Sequence, residues 1–232
     1  MVDMCRAPSV VNPTVRYGQK KFTEMFDAKT RLDRDTRREA ILDVAGDLFM
    51  QEGFAAASMS EIAARLGGSK GTLYNYFRSK DELFTAYVQR HCVVQSAAMF
   101  DLAADAEDIA HALTALGVAY LTWVMSDFAQ ANFRMIIAEA QRNPEIGRTF
   151  YESGPMNGAR RLADILVRAA DRGDLKLEDP LRAAHQFIGL CQNRFLKARQ
   201  CNYMSEPTAE EIAVEVDAAV KTFLAAFGTA RA

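Results

Sequence analysis

The chain has 232 residues, of which 50% are hydrophobic and 25% are charged, and its formal net charge at pH 7 is −2. This composition predicts a folded protein with a substantial core and excludes an intrinsically disordered chain. A net charge so close to zero also argues against a strongly basic protein that coats DNA without sequence preference. The positive charge is local, because residues 60–80 hold four basic residues and one acidic residue.

The cysteines and the N-terminus bear on the compartment. Cys5, Cys92, Cys191 and Cys201 are too few and too scattered for a disulfide scaffold. The N-terminus lacks the apolar run of a secretory signal, so we expect a cytoplasmic protein. Residues 109–126 contain no Lys, Arg, Asp or Glu, but their polar residues favour a buried helix over a membrane span, and we expect no membrane partner.

Taken in chain order, the predicted elements are helical. Proline is absent from residues 14–143 and strand-like alternation is rare, so the fold class is all-α. Residues 1–33 have weak periodicity and mixed charge, and we expect an N-terminal arm there. The basic residues of the arm would let it reach a DNA minor groove or backbone, whereas its acidic residues fit a solvated tail equally well.

Two capped helices follow the arm. Thr36-Arg-Arg-Glu39 fits a capping box, in which two side chains satisfy free backbone donors at a helix start. Gly53 is expected to end this helix. Ser58-Met-Ser-Glu61 is a second capping box, and it opens a short helix that ends at residues 67–68, where two glycines make a positive φ inexpensive.

A third short helix is predicted over residues 70–77, capped by Ser69, and a longer helix starts near Ser79. Two short helices joined by a glycine-containing turn are typical of a helix-turn-helix, whose second helix can enter a major groove. Leu73 and Phe77 are expected to face inward. Hydrogen-bond donors are expected on the other side, from Ser69, Lys70, Thr72, Asn75 and Tyr76. A helical hairpin with a merely solvated surface is the alternative that this pattern leaves open.

An ordered string within these elements resembles a known family. It consists of Gly53-Phe54, Ser58-Met-Ser-Glu-Ile-Ala63, Gly67-Gly-Ser-Lys-Gly-Thr-Leu-Tyr-Asn-Tyr-Phe77 and Ser79-Lys80-Asp-Glu-Leu83. The string is similar to the DNA-binding domain of TetR/AcrR-type transcriptional regulators. The resemblance implies an all-α protein with an N-terminal three-helix helix-turn-helix domain at residues 34–88. A larger helical domain for ligand binding and dimerisation is implied at residues 89–232.

The resemblance also implies the residues that contact DNA. They are Ser58, Ser69, Lys70, Gly71, Thr72, Tyr74, Asn75, Tyr76 and Lys80. Ser58 would meet a phosphate at a helix N-terminus, and the two tyrosines and Lys80 would meet other phosphates. Gly71 would allow close approach to the duplex. We expect Lys70, Thr72 and Asn75 to read base edges, since Lys suits guanine acceptors and Asn can pair with adenine.

The second half of the chain resembles AefR-like C-terminal domains, chiefly in residues 133–154 and 174–190. Apolar residues on more than one side of its last helices predict two buried faces, one in the chain's own core and one against a twin. The expected dimer contacts are Ala184, Ile188, Phe195, Val216, Val220 and Phe223. A monomeric core that uses both faces is the alternative.

A ligand pocket is expected where large apolar groups occur with a few polar ones. The candidate pocket residues are Tyr120, Trp123, Phe128, Phe133, Tyr151, Phe187 and Gln192. Ordinary core packing is the alternative for each of them.

An enzyme is the competing class. His91, His111 and His185 are widely spaced, and no metalloprotease helix, phosphate-binding glycine loop or nucleophile elbow occurs. The adjacent Cys92 would make a reactive thiol beside His91, although a buried inert cysteine is more usual. We expect no catalytic site, no metal and no cofactor. The predicted function is a homodimeric regulator that binds double-stranded operator DNA and is released by a small apolar effector; the resemblance favours a repressor.

Overall fold

The computed structural model describes residues 34–101 and 108–230, and its architecture confirms the all-α prediction. These residues form eleven α-helices and one short π-helical turn. An isolated bridge between Leu175 and Gly228 is the β-type pairing found within them. The arm predicted at residues 1–33 lies outside the described residues.

We call residues 34–88 the N-terminal region and the described residues from 89 onward the C-terminal region. The first four helices are α1 (Arg34–Ala56), α2 (Met59–Arg65), α3 (Lys70–Tyr74) and α4 (Lys80–Asp101). The C-terminal region continues with α5 (Ile109–Val124), α6 (Asp127–Ala140), α7 (Pro144–Tyr151), the π-helical turn Glu152–Met156, α8 (Asn157–Asp171), α9 (Pro180–Gln192), α10 (Leu196–Gln200) and α11 (Ala209–Phe227).

Helix α1 differs from the prediction at its start. The helix already contains Arg34, so Thr36 is an inner helical residue and the capping box predicted there is wrong. Gly53 interrupts α1 as predicted, with φ 80° and ψ 159°, and one further helical turn follows it. Only glycine adopts this backbone conformation without strain.

The next three helix starts are set by serine caps. Ser58 Oγ accepts the Glu61 N–H at 3.2 Å, but the Glu61 carboxylate bonds to Arg65 rather than completing the predicted capping box. Gly67, with φ 64°, makes the turn into α3. Ser79 Oγ accepts the Glu82 N–H at 3.0 Å at the start of α4.

Helix α3 is shorter than predicted. It ends at Tyr74 rather than residue 77, with Asn75 as its C-cap. The N–H groups of Tyr76 and Phe77 both donate to the Leu73 carbonyl at 3.0 Å, which tightens the chain into a turn before α4. Leu73 and Phe77 are nonetheless 2% and 1% exposed, as the predicted inward face requires.

The N-terminal region has an aromatic core shared by α1 and α4. The Phe49 ring meets Phe84 edge-on at 5.0 Å and lies 6.0 Å from Tyr87, while Phe54 lies 4.7 Å from Phe84. Gly46 allows the approach of the two helices, because a Cβ there would fall 2.5 Å from Tyr87 Cε2. Helix α4 is thereby fixed to the helix-turn-helix at its first half.

The C-terminal region has its own core around α5, α8, α9 and α11. Its largest fully buried side chains are Phe187, Phe195 and Phe223, and the rings of Phe187 and Phe223 meet edge-on at 5.5 Å. Thr208 and Glu211 complete a capping box at the start of α11. Helix α4 runs through residues 88 and 89 without a break, so the boundary predicted there falls inside a helix.

Among the described residues, no single helix has the length and apolar character needed to cross a membrane. Helices α5 and α6 meet the length and composition requirements only when they are taken together, and the chain is bent by 66° at the break between the two helices.

Candidate DNA interface and ligand cavity

The exposed face of the helix-turn-helix carries most of the predicted DNA contacts. Lys70, Gly71, Asn75 and Tyr74 are exposed on and after α3, the last with 47% of its surface free. Ser58 and Ser69 are exposed at the N-termini of α2 and α3. Thr72 and Tyr76 are half-buried. The fold therefore brings these predicted residues to one end of the N-terminal region, around two short helices.

The N-terminus of α3 is organised by two hydroxyl groups. Ser69 Oγ accepts the Thr72 N–H at 3.2 Å and lies 3.0 Å from Thr72 Oγ1. These bonds hold both side chains against the helix start. The Lys70 ammonium has no hydrogen-bond or ion-pair partner among the residues described, so it is available to an acceptor outside the chain.

The other basic groups near α3 differ in availability. Arg65 is bound within the region, since its guanidinium donates to Gln51, Glu52 and Glu61 at 2.8–3.1 Å. Arg78 is exposed, and its side chain has no partner within the described ranges. The motif comparison with the family did not single out Arg78, and only its position in the local cluster of positive charge pointed to it.

Lys80 has an internal role that the sequence did not reveal. Its Nζ donates to the carbonyl oxygens of Phe54, Ala55 and Ala57 at 2.6, 3.2 and 2.9 Å and lies 4.4 Å from the centroid of the Phe54 ring. These carbonyls lie at the C-terminal end of α1, where a cation is favoured by the helix dipole. Lys80 thus joins α4 to the end of α1, and the phosphate contact predicted for it stays a prediction.

A cavity of about 460 Å³ lies in the C-terminal region, between α4, α5, α6, α9 and the π-helical turn. Six of the seven predicted pocket residues line it, namely Tyr120, Trp123, Phe133, Tyr151, Phe187 and Gln192. Phe128 does not, and its prediction is wrong. Its ring is 48% exposed and lies behind the wall, 5.2 Å from the His91 ring.

Among the described residues that line the cavity there is no Asp, Glu, Lys or Arg. Burial, with a smaller contribution from Arg90, lowers the pKa of His91 to about 4, so this imidazole is neutral at pH 7. Burial raises the pKa of Cys92 to about 11 and that of Cys191 to about 12, so both stay thiols. A reactive thiolate at Cys92, the alternative left open above, has no support in this environment.

Three groups of hydrogen bonds lie in the wall. Tyr87 Oη donates to Asn132 Oδ1 at 2.7 Å, and burial raises the pKa of Tyr87 to about 12. Tyr120 Oη donates to Gln192 Oε1 at 2.5 Å. The buried Ser96 hydroxyl accepts from Asn157 and Arg161 at 3.4 and 3.3 Å. Tyr120 and Gln192 were predicted from the sequence as pocket residues, whereas Tyr87, Asn132 and Ser96 have no local motif and were not.

Most of the predicted dimer contacts are wrong as named. Ala184, Phe195, Val216, Val220 and Phe223 are each 6% exposed or less, because they pack in the core of the same chain. Only Ile188 is half-buried, and it lines the cavity. Side chains with no free surface cannot meet a twin, so the outer faces of α9 and α11 lie opposite to those predicted.

Comparisons with known proteins agree with this fold. Residues 41–87 match the family model of bacterial regulatory proteins of the tetR family. Residues 111–229 match the model of the C-terminal domain of AefR-like transcriptional repressors.

Two solved structures extend along most of the chain. A TetR-family transcriptional regulator from Mesorhizobium loti superposes with a TM-score of 0.78 and 26% identity, covering 85% of this chain and 100% of that one. The flavonoid-responsive regulator FrrA gives a TM-score of 0.71 with 33% identity, covering 84% of this chain and 99% of that one.

Curated relatives match over a shorter stretch. The transcriptional activator FasR of Mycolicibacterium smegmatis is 43% identical over 82 residues, and the regulator AcrR of Shigella flexneri is 40% identical over 57 residues. The alignments span 37% and 26% of the length of those two proteins.

Proposed function

This chain belongs to the TetR family of bacterial transcriptional regulators and binds DNA, and from that premise we propose a homodimeric repressor that a small aromatic effector releases from its operator. The continuity of α4 carries the proposal. Its first residue, Lys80, is bound to the helix-turn-helix, whereas Tyr87, His91 and Ser96 further along line the cavity. A ligand that displaces this wall would displace the N-terminal region through a single rigid helix.

In this mechanism the exposed face of α3 enters a major groove. Lys70, Thr72 and Asn75 read base edges, while the other predicted contacts and Arg78 meet the phosphate backbone. The capped N-termini of α2 and α3 support the phosphate contacts, because free N–H groups at a helix start favour anions.

Two copies are needed to bind successive major grooves of a palindromic site. The proposed interface consists of the outer faces of α9 and α11. Their exposed residues include His185, Gln186 and Val214, the last with 61% of its surface free. Effector release then requires that the ligand bind the DNA-incompatible spacing of the two copies more tightly, by about 1–3 kcal/mol.

The effector class is supported by the cavity wall. The described residues of the wall are mostly aromatic and aliphatic and include no Asp, Glu, Lys or Arg, which favours an uncharged and largely apolar ligand. The regulator FrrA, a relative matched along 99% of its length, is by its name responsive to flavonoids, which are aromatic molecules. We place the protein in the cytoplasm, where its DNA would be.

Genomic selection of DNA tests the proposal. Fragments bound by the purified full-length protein would be identified at near-physiological salt, and the best fragment compared with a scrambled version by fluorescence anisotropy. We expect a palindromic site preferred by about 10³-fold or more. Flavone, added to the complex, is expected to raise the dissociation constant. Uniform weak binding to every fragment would contradict the proposal.

Two substitutions on α3 and the turn after it separate base reading from backbone contact. Asn75→Ala should relax the preference at particular base pairs by about 1–3 kcal/mol, whereas Tyr76→Phe should weaken all DNA alike. Equal losses on operator and random DNA for N75A would remove Asn75 from the reading set.

An activator is the second candidate, because the relative FasR, similar over 82 residues, is by its name an activator. A promoter fusion containing the selected site distinguishes the two. Deletion of the gene should raise expression for a repressor and lower it for an activator.

A further inference from the structure

Tyr120 and Gln192 form a fixed hydrogen-bonding unit in the cavity wall. Tyr120 lies on α5 and Gln192 ends α9, and the phenol donates to the carboxamide oxygen at 2.5 Å. Burial raises the pKa of Tyr120, so the phenol keeps its proton and remains the donor at neutral pH. Because the amide oxygen is engaged, rotation of the carboxamide would break this bond. The NH₂ group of Gln192 is therefore the part left for a ligand.

That NH₂ group is both free and reachable. It has no hydrogen-bond partner among the described residues, and it is not one of the enclosed polar atoms without a partner. Those enclosed atoms are His91 Nε2 and Gln130 Oε1, which a ligand cannot reach in this conformation. Gln95 and Gln200 also line the cavity, but no bond in the described structure fixes their amides, so they impose no polarity.

Ser96 presents a second unused donor to the same cavity. Its hydroxyl accepts hydrogen bonds from Asn157 and Arg161, and its own hydrogen has no acceptor within the described residues. The Arg161 guanidinium also lies 4.2 Å from the centroid of the Phe100 ring, which holds it behind Ser96. A hydroxyl that accepts from a cation is a better donor to a third group. Gln192 and Ser96 thus each have a hydrogen that no described residue accepts.

We propose that the cavity selects uncharged aromatic molecules that carry a carbonyl oxygen, with the Gln192 NH₂ group donating to that oxygen and Tyr120 as its positioning residue. The proposal rests on the proposed function, because it names the chemistry of the effector for the same site. A carbonyl group satisfies a buried donor that an apolar ligand of the same shape would leave without a partner.

Benzophenone and diphenylmethane are matched probes. They differ only at the group between the two phenyl rings, which is a carbonyl in benzophenone and CH₂ in diphenylmethane. Equilibrium dialysis of each against the full-length protein gives the ratio of their dissociation constants. Quenching of Trp123, the one tryptophan of the chain and a residue of the cavity wall, reports binding at this site. We expect benzophenone to bind roughly tenfold more tightly or better.

Three variants assign the preference to the amide. Gln192→Met keeps the volume and should bring the ratio near one. Tyr120→Phe frees the carboxamide to turn, so the preference for benzophenone should fall and diphenylmethanol should gain affinity. Gln141→Met, an exposed position at the end of α6 outside the cavity wall, is the matched control and should leave the ratio unchanged. A merely structural role for Gln192 would weaken both probes together, and circular dichroism checks the fold of each variant.

Equal affinities for the two probes in the unaltered protein would overturn the inference, and so would a preference that survives in Q192M. If neither probe binds up to its solubility limit, the inference is overturned as well. The proposed function is tested separately by the release of operator DNA with flavone. The result of that experiment does not depend on which residue of the cavity binds the carbonyl group.

Discussion

The N-terminal and C-terminal regions are each fastened by a cation that donates to backbone carbonyls near a helix end. In the N-terminal region, Lys80 binds the carbonyls of Phe54, Ala55 and Ala57 at the end of α1. In the C-terminal region, Arg199 donates to the carbonyls of Met125 and Met204 and to Asp127 Oδ1 at 3.0, 3.1 and 2.6 Å.

The two cations differ in burial and in reach along the chain. Arg199 is 5% exposed and joins the turn between α5 and α6, more than seventy residues earlier, to the loop before α11. Lys80 is half-buried beside the proposed DNA surface. The difference shows that Arg199, buried and bonded within the chain, has a purely structural role in the C-terminal region. The cation of the N-terminal region lies where stability and DNA binding meet.

The largest expected effect comes from removing the buried cation. Arg199→Met keeps much of the side-chain length but leaves one buried and one part-buried carbonyl without this donor, so we expect the free energy of unfolding to fall by about 3 kcal/mol. Urea denaturation followed by circular dichroism measures the loss. Arg194→Met is the matched control, because that exposed guanidinium pairs with Glu215 at 3.6 Å and should contribute less than about 1 kcal/mol. Equal losses in the two variants would contradict the role given to Arg199.

A buried neutral histidine gives the C-terminal region a pH dependence. Since the pKa of His91 falls from 6.5 to about 4 on folding, the unfolded chain binds this proton more readily between those values. The free energy of unfolding is therefore unaffected by this group above pH 6.5. It decreases as the pH falls toward 4, by up to about 3 kcal/mol, because the unfolded chain takes up the proton first. His91→Leu should flatten the slope of unfolding free energy against pH in this window. An unchanged slope in this variant would contradict the role given to His91.

Removal of the cation of the N-terminal region, Lys80, should have a smaller effect on stability and a second effect on DNA binding. Lys80→Met removes three charge-assisted hydrogen bonds at a partly exposed site, so we expect a loss of about 1–2 kcal/mol in unfolding free energy. Binding to every DNA should weaken alike, because the end of α1 supports the helix-turn-helix. Lys70→Met is the control, and it should change operator preference without changing stability. Unaltered stability in K80M would show that the bonds to α1 contribute nothing.

How far the sequence predicted these features depends on the length of chain that separates the partners. The caps at Ser58, Ser69 and Ser79 bond to groups three residues away, so a local pattern sufficed. The search for large apolar groups beside a few polar ones named seven residues, of which six line the cavity, but it left most of the other wall residues unnamed. The clamp at Arg199 has no such pattern, because its partners in the turn after α5 lie more than seventy residues earlier.

The dimer predictions failed for a related reason. An apolar helix face can pack in the core of its own chain or against a second copy of the chain. The sequence pattern is the same in both cases, and the position of the other helices in the fold decides between them. Val216 illustrates this, since α11 approaches α5 so closely that a Cβ on Gly117 would fall 2.8 Å from Val216 Cγ1. Phe128 is likewise a large aromatic residue of the kind expected in a pocket, but it contacts the wall residue His91 without lining the cavity itself.

The smallest expected effect is at one of the hydrogen bonds that join the two regions. Tyr87 packs against Gly46 and Phe49 of α1, yet its hydroxyl donates to Asn132 of α6. Tyr87→Phe keeps the ring and removes this bond, so we expect a loss of about 1 kcal/mol in unfolding free energy. Asn132→Leu and the double variant complete a thermodynamic cycle that isolates the pair.

The same cycle applied to DNA binding decides whether this bond transmits ligand occupancy. If α4 moves relative to α6 when the effector binds, the bond exists in one of the two states only. Its loss must then change the concentration of flavone that releases the operator. A coupling energy in stability with no change in that concentration would restrict Tyr87 to a structural role. The connection between cavity and helix-turn-helix would then rest on the continuity of α4 and on other contacts, such as the bond from the Asn143 amide to Asp81 Oδ1 at 3.3 Å.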